Sequence, residues 1–180
     1  MDKKIRNLLG HSAYPRDLDY KRFREIADSV GAYLMSDIAH ISGLIAAEEH
    51  ANPFLHSHIV TSTTHKSLRG PRSGLIFYTK DPASLSQIKS KAQESLEESI
   101  NASIFPRLQG GPHNHQIAGV CTQLKEVNSL EFKEYIKQVK KNAITLAEGI
   151  MDKGGKLLTN GTENHLILWD LKPQALTGKQ

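Results

Sequence analysis

The chain has 180 residues and a mass of 20.0 kDa, the size of one ordinary domain or of one domain with part of another. Hydrophobic residues make up 38 % of it and 13 residues are glycine, a globular composition that excludes global disorder; no stretch approaches the ~18 apolar residues of a membrane-spanning helix. The formal charge of +4 comes from 23 basic and 19 acidic side chains interspersed along the chain, which is not the basic stripe of a nucleic-acid binder.

A single cysteine, Cys121, excludes an internal disulfide and a zinc site built on paired thiolates, and it points to a reducing compartment, by default the cytoplasm. The opening MDKKIRNLLGHSAY carries no apolar targeting region, and its KKIRNLL run is a poor strand. From Tyr20, apolar residues at Phe23, Ile26, Ala27 and Val30 predict one buried helix stripe, closed by Gly31. Ala32 to Met35, Ile59 to Thr61 and Leu75 to Tyr78 read as buried, mostly parallel strands. Ile88, Ala92, Leu96 and Ile100 predict an amphipathic helix that runs up to a break at Phe105-Pro106, followed by a glycine-containing loop.

Beyond the loop, Ile117, Val120, Cys121, Leu124 and Val127 mark one helix, with Cys121 as a small core residue on its apolar stripe. Phe132, Tyr135, Ile136, Val139, Ala143, Leu146 and Ile150 mark a longer helix, ended by Gly154 and Gly155. On it Lys137, Lys140 and Lys141 read as a solvated face. Lys156 to Leu158, Asn160-Gly161 and His165 to Leu171 predict a β-hairpin, since Asn-Gly tolerates the positive φ of tight turns. The order of elements predicts an α/β fold with a mostly parallel sheet, then the beginning of a second, smaller layer that is interrupted at Gln180.

Three polar clusters fall at the carboxyl ends of expected strands, the edge where open α/β sheets bind ligands. They are Asp37 with His40; Ser62, Thr63, Thr64, His65 and Lys66; and the loop Gln109, Gly110 and Gly111. An aspartate after a buried strand needs a cation or donor, and Lys66 is a candidate for it; an ion pair that only orders the sheet edge is the alternative. A lysine among cations in a partly dry pocket becomes a neutral nucleophile able to form a Schiff base, whereas a lysine in a surface loop does no chemistry. The pairs His56 and His58, and His113 and His115, each lack a third ligand cluster at defined spacing, so no metal site is expected.

The runs SDIAHISGLIAA (36–47) and STTHKSLRGPRSGLIF (62–77) resemble the centre of the serine hydroxymethyltransferase family, pyridoxal-phosphate enzymes of the aspartate-aminotransferase fold type, fold type I. SAYPRDLDY (12–20), FPRLQGGPHNHQIA (105–118) and GTENHLILWDL (161–171) match the same family in the same order. The resemblance implies that residues 1–127 are part of the cofactor-binding large domain and that 128–180 begin the α+β C-terminal domain. It implies that Lys66 binds pyridoxal phosphate covalently and that Asp37 faces the pyridine nitrogen. His40 and Ser12 then orient the cofactor near its phenolic oxygen, Thr63 and His65 flank the lysine, and Arg72 supports the pocket. Gly110 and Gly111 would place backbone N–H groups against the cofactor phosphate of a neighbouring subunit, which implies a homo-oligomer, a dimer or a tetramer built of dimers.

The implied activity interconverts serine plus tetrahydrofolate with glycine plus 5,10-methylenetetrahydrofolate; serine and glycine are the small-molecule substrates and tetrahydrofolate the co-substrate. No nucleic acid or membrane is implied, and a longer parent protein is cytoplasmic or mitochondrial. The sequence departs from the family in three places: Ser62 stands where threonine is usual, residues 47–52 replace an apolar, glycine-containing turn, and KKIRNLL replaces an apolar strand. Other cofactor and substrate ligands of the family lie outside the matched part. The chain is therefore expected to be a fragment carrying the catalytic core segment. The contrasting expectation is a truncated, non-catalytic remnant that at most binds pyridoxal phosphate weakly or pairs with a full-length subunit.

Overall fold

In the computed structural model, which describes residues 5–80 and 95–179, the chain builds an α/β unit around a four-stranded sheet. Strands β1 (Ile5–Gly10), β2 (Tyr33–Asp37), β3 (Ile59–Thr63) and β4 (Gly74–Tyr78) lie side by side in that order. The first three are parallel, and β4 runs antiparallel to β3. Helix α1 (Tyr20–Ser29) makes the crossover from β1 to β2, and the short α2 (Ser42–Ala46) with a 3-10 turn at Pro53–Leu55 makes the next. Helices α3 (Leu96–Ala102), α4 (Asn114–Val127) and α5 (Leu130–Asp152) follow, and a two-stranded ribbon of β5 (Lys156–Leu157) and β6 (Trp169–Asp170) comes last.

Local chemistry sets the helix starts. Asp19 accepts the Arg22 N–H at 2.9 Å to cap α1, Ser95 and Glu98 form a reciprocal capping box on α3, and Ser129 caps α5 through the Phe132 N–H. One core cluster joins Leu44 and Ala47, Leu68 from the loop after β3, Val127 at the end of α4, and Phe132 and Ile136 of α5. A second joins Ile38, Ile41 and Val60, with Ile45 packed against it. Both clusters lie beside the carboxyl ends of β2 and β3, so the residues that follow those strands leave a fixed floor.

Several expectations need correction. The run read as a poor strand is β1, because pairing of Asn7 through Gly10 with Leu34 through Asp37 outweighs its weak propensity. Leu75 to Tyr78 is neither parallel nor buried: residues 64–73 are too short for a crossover, so the chain folds straight back and leaves Ile76 and Phe77 exposed. Helix α1 buries Tyr20, Arg24 and Ala27, while Ile26 and Val30 face out. Cys121 is exposed, since α4 turns Val120 and Val127 inward and places the next residue about 100° round. The expected tight hairpin is a ribbon whose strands are joined by the long stretch 158–168, with Thr159, Asn160 and Gly161 in a left-handed bend. Lys140 is not a solvated lysine, because its Nζ donates to the Glu49 carbonyl at 2.7 Å. Ile88 and Ala92 lie outside the described residues. Phe105 has extended backbone (φ −132°, ψ 127°), the expected break, inside a π-helical segment at Ser103–Leu108.

His58 ties α1 to the sheet. Its ring is fully buried, Nδ1 accepts the Leu34 N–H at 2.9 Å, and Arg24 Nη1 lies 3.1 Å from the same nitrogen while pairing with Asp28. Burial first, then the Arg24 charge, pushes the imidazole down to about 4. The unfolded ring titrates near its ordinary 6.5, so between these values the unfolded chain binds a proton that the folded chain does not. Stability should be full above pH ~6.5 and fall by at most about 3 kcal/mol as the pH drops toward 4. Urea unfolding at pH 7 and pH 4.5 measures this, and His58→Asn, whose side-chain oxygen can still accept the Leu34 N–H, should remove most of the slope.

Candidate functional site

The parallel pairing of β2 with β3 sets Asp37 opposite Thr61, with both side chains on one face. Thr61 Oγ1 donates to Asp37 Oδ2 at 2.6 Å, and the Ala39 N–H donates to Oδ1 at 3.2 Å. Thr63, two residues on from Thr61, returns to the same face about 6.5 Å further along the strand. There its Oγ1 accepts a hydrogen bond from Lys66 Nζ at 3.0 Å. The expected direct ion pair between Asp37 and Lys66 is therefore replaced by two separate hydrogen bonds to threonines two residues apart on β3, which hold a carboxylate and an amine on the same face. Thr61 was not singled out from the sequence, although the period of two that relates it to Thr63 is the signal that finds it.

The loop carrying Lys66 is fastened on three sides. Ser67 Oγ donates to the His40 carbonyl at 3.1 Å and accepts the Gly43 N–H at 2.9 Å. Leu68 enters the core beside Phe132. Arg69 lies over the rings of Tyr135 and Phe132, 4.4 and 5.3 Å from their centroids. Within the loop the Gly70 N–H donates to the Thr64 carbonyl at 2.7 Å, and Thr64 Oγ1 donates to the Pro71 carbonyl at 2.5 Å. Ser62, the family departure, is buried and donates to the Thr63 carbonyl at 2.9 Å, so its missing methyl leaves the hydroxyl employed.

His65 Nδ1 is shielded from solvent and has no hydrogen-bond partner. Burial, and then the charges of Arg72 and Lys66, hold its pKa below the usual imidazole value. His40 is half-buried and sits near His11 and His165, both of which have lowered pKa values: for each, burial is the larger cause, and the charge of His40 adds to it. Ser12 and Arg72 are exposed. Gly110 and Gly111 lie in an exposed loop, where a Cβ on either would meet no heavy atom within 4 Å among the described residues. His113 and His115 stack at 5.9 Å on the exposed start of α4.

This donor set fits a flat aromatic aldehyde with a basic ring nitrogen, such as pyridoxal phosphate. An amine and a carboxylate share a face, bonded to threonines two residues apart on β3, and shielded imidazole nitrogens at His65 and His11 still lack partners. The close approach of α2 to the lysine loop is a point of weakness. A Cβ on Gly43 would come within 2.5 Å of the Ser67 carbonyl oxygen, so Gly43→Ala should push the two apart and destabilise the fold by about 1–3 kcal/mol. A lowered urea midpoint with an unchanged m-value checks this.

Comparisons with known proteins point to one family. A family model described as serine hydroxymethyltransferase matches residues 3–180. Serine hydroxymethyltransferase 4 of Arabidopsis thaliana is 57 % identical over 174 residues, which cover 96 % of this chain and 37 % of that protein. The Bombyx mori serine hydroxymethyltransferase is 53 % identical over 171 residues, 95 % of this chain and 37 % of its own length. The Plasmodium falciparum serine hydroxymethyltransferase is 50 % identical over 173 residues, 96 % and 37 % respectively. The chain thus spans little more than a third of the length of these relatives.

Proposed function

The chain belongs to the serine hydroxymethyltransferase family, and from that premise we propose that it carries the central segment of a pyridoxal-phosphate enzyme of fold type I. The reaction is the interconversion of serine plus tetrahydrofolate with glycine plus 5,10-methylenetetrahydrofolate. In this reading residues 1–127 are part of the cofactor-binding large domain and 128–180 open the C-terminal domain. The observation that carries the reading is the placement of Asp37 and Lys66 on one face, each bonded to a threonine of β3, Thr61 and Thr63 respectively.

Pyridoxal phosphate, when bound, supplies an aldehyde that an amine can hold covalently and a protonated ring that draws electrons from the substrate α-carbon. Lys66 is the amine, and Thr63 fixes the direction of its Nζ. Asp37 faces the ring nitrogen as a carboxylate, a charge-assisted partner that keeps the nitrogen protonated, while Thr61 and the Ala39 N–H hold its rotamer. His65, neutral at pH 7 beside two cations, flanks the lysine. His40 and Ser12 orient the ring on its phenolic side, and Arg72 supports the pocket. Gly110 and Gly111 serve the phosphate of a neighbouring subunit, and the working form is a homo-oligomer.

Incubation with pyridoxal phosphate, borohydride reduction and peptide mass spectrometry test the reading. The label should appear on Lys66 and be absent from Lys66→Ala. Asp37→Ala should remain folded but retain the cofactor roughly 10-fold to 100-fold more weakly, the worth of one hydrogen bond to a charged group. A folded wild-type chain that takes up no label would leave the non-catalytic remnant as the better account.

A further inference from the structure

Residues 14–17 and 159–164 stand some 143 to 150 positions apart in sequence and are joined by a network of hydrogen bonds and an ion pair. Arg16 is at the centre. Its Nε donates to Thr159 Oγ1 at 3.2 Å, Nη1 pairs with Glu163 Oε1 at 3.2 Å, and Nη2 donates to the carbonyls of Thr159 and, at 2.9 Å, Asn160. Glu163 Oε2 accepts the Asp17 N–H at 2.8 Å, and the Glu163 N–H donates to the Pro15 carbonyl at 2.8 Å. Asn164, fully buried, donates from Nδ2 to the Tyr14 carbonyl at 2.9 Å.

The guanidinium closes over a bend that is costly by itself. Thr159 (φ 68°), Asn160 (φ 51°) and Gly161 (φ 127°) are all left-handed in succession, and the β-branched Thr159 carries a side chain that disfavours this region. A Cβ on Gly161 would lie 3.2 Å from Arg16. Carbonyls turned the same way by that bend converge on one planar donor, which suits arginine and not lysine.

The bend delivers His165. That ring is half-buried, and its Nδ1 is shielded and has no partner. The preceding Asn164 is bonded to Tyr14, against whose ring His11 rests edge-on with centroids 5.5 Å apart. Both nitrogens of His11 are likewise shielded and without partners. His40, whose carbonyl receives Ser67 next to Lys66, lies close enough for its charge to act on both rings. We propose that Arg16 is a positioning residue: by gathering the bend at 159–161 and Glu163 it sets His165 beside His11 and His40, so that the C-terminal segment supplies one wall of the site. The word site rests on the cofactor reading above; the clasp does not.

Histidine ring titrations followed by NMR on the whole chain test the clasp without cofactor. The charges acting on His165 are those of His40 and His11; His11 in turn feels Asp17, and His50, which feels His11, also feels Asp17, Lys140 and Glu163. His165, lowered by burial and then by those two rings, should move up toward the ordinary histidine range in Arg16→Ala, while His58, buried elsewhere, stays at about 4 and reports an intact fold. Arg16→Lys keeps the pairing with Glu163 but cannot span both carbonyls, so it should restore part of the shift. If Arg16→Ala fails to fold, Glu163→Gln, which removes one arm of the clasp, should give a smaller move in the same direction. An unchanged His165 titration in a folded variant overturns the proposal. With pyridoxal phosphate added, the His165 and His11 resonances should shift in the wild type; an unmoved His165 while Lys66 carries label overturns its place in the wall. If Lys66 takes no label, the cofactor reading fails instead, and the titration alone upholds or overturns the clasp.

Discussion

One hydrogen bond sets the frame of the site, from the Thr61 hydroxyl to the Asp37 carboxylate. It exists only in the register that pairs Met35 with Ile59, Ser36 with Val60 and Asp37 with Thr61. A slip of one residue would turn Thr61 and Thr63 to the other face together and leave Asp37 and Lys66 with no common side. The register is held by packing below it, where Ser36 and Val60 are buried, and by the Ser36 to Ser57 hydroxyl contact at 2.7 Å. On its other flank β2 approaches β1 closely, since a Cβ on Gly10 would lie 2.8 Å from the Asp37 carbonyl oxygen. The carboxylate is thus positioned by backbone pairing, and its side-chain direction by the Thr61 hydroxyl together with the Ala39 N–H.

The amine depends on a different kind of support. Lys66 leaves the sheet in a loop, and loops hold position only where they are fastened. Ser67, Leu68 and Arg69 follow the lysine and bind in turn to α2, to the core and to the aromatic face of α5. Gly70 then closes the loop on the Thr64 carbonyl, a contact that a Cβ would block at 2.8 Å. Movement of α5 would therefore be felt at Lys66 through Leu68 and Arg69. The long helix, which the family resemblance assigns to the following domain, is joined to the lysine loop through these contacts.

How much of this was legible beforehand follows from how local each signal is. The helices from Tyr20, from Asn114 and from Leu130 appear in the periodicity of the chain because each has an apolar stripe, and Gly31 and Gly154 end two of them in left-handed conformations. The cluster of hydroxyls around His65 and Lys66 was visible as composition. Direction was not: whether Leu75 to Tyr78 runs parallel or antiparallel depends on the length and path of residues 64–73, which carry their own turn chemistry. The partner of Asp37 was missed for a similar reason, because a lysine nearby in type is a stronger sequence signal than a threonine nearby in space. His165 lay inside a recognised block without a role, since its meaning depends on Arg16, far away along the chain.

The left-handed residues that are not glycine show how the fold is fastened. Glu48, Arg69, Thr159, Asn160 and Ala175 all have φ between 51° and 68°, a conformation that costs a side-chain-bearing residue on the order of 1 kcal/mol. At four of the five a cation is engaged: Lys133 with the Glu48 carboxylate at 3.2 Å, the Arg69 guanidinium over Tyr135, and Arg16 on the carbonyls of Thr159 and Asn160. Strain of this kind persists only where contacts over-determine the backbone, and these contacts are long-range. Each joins the sheet edge or its loops to α5 or to the segment beyond it. The costly backbone and the cationic contacts are therefore parts of one arrangement, in which charge holds the C-terminal elements against the face that carries Asp37 and Lys66.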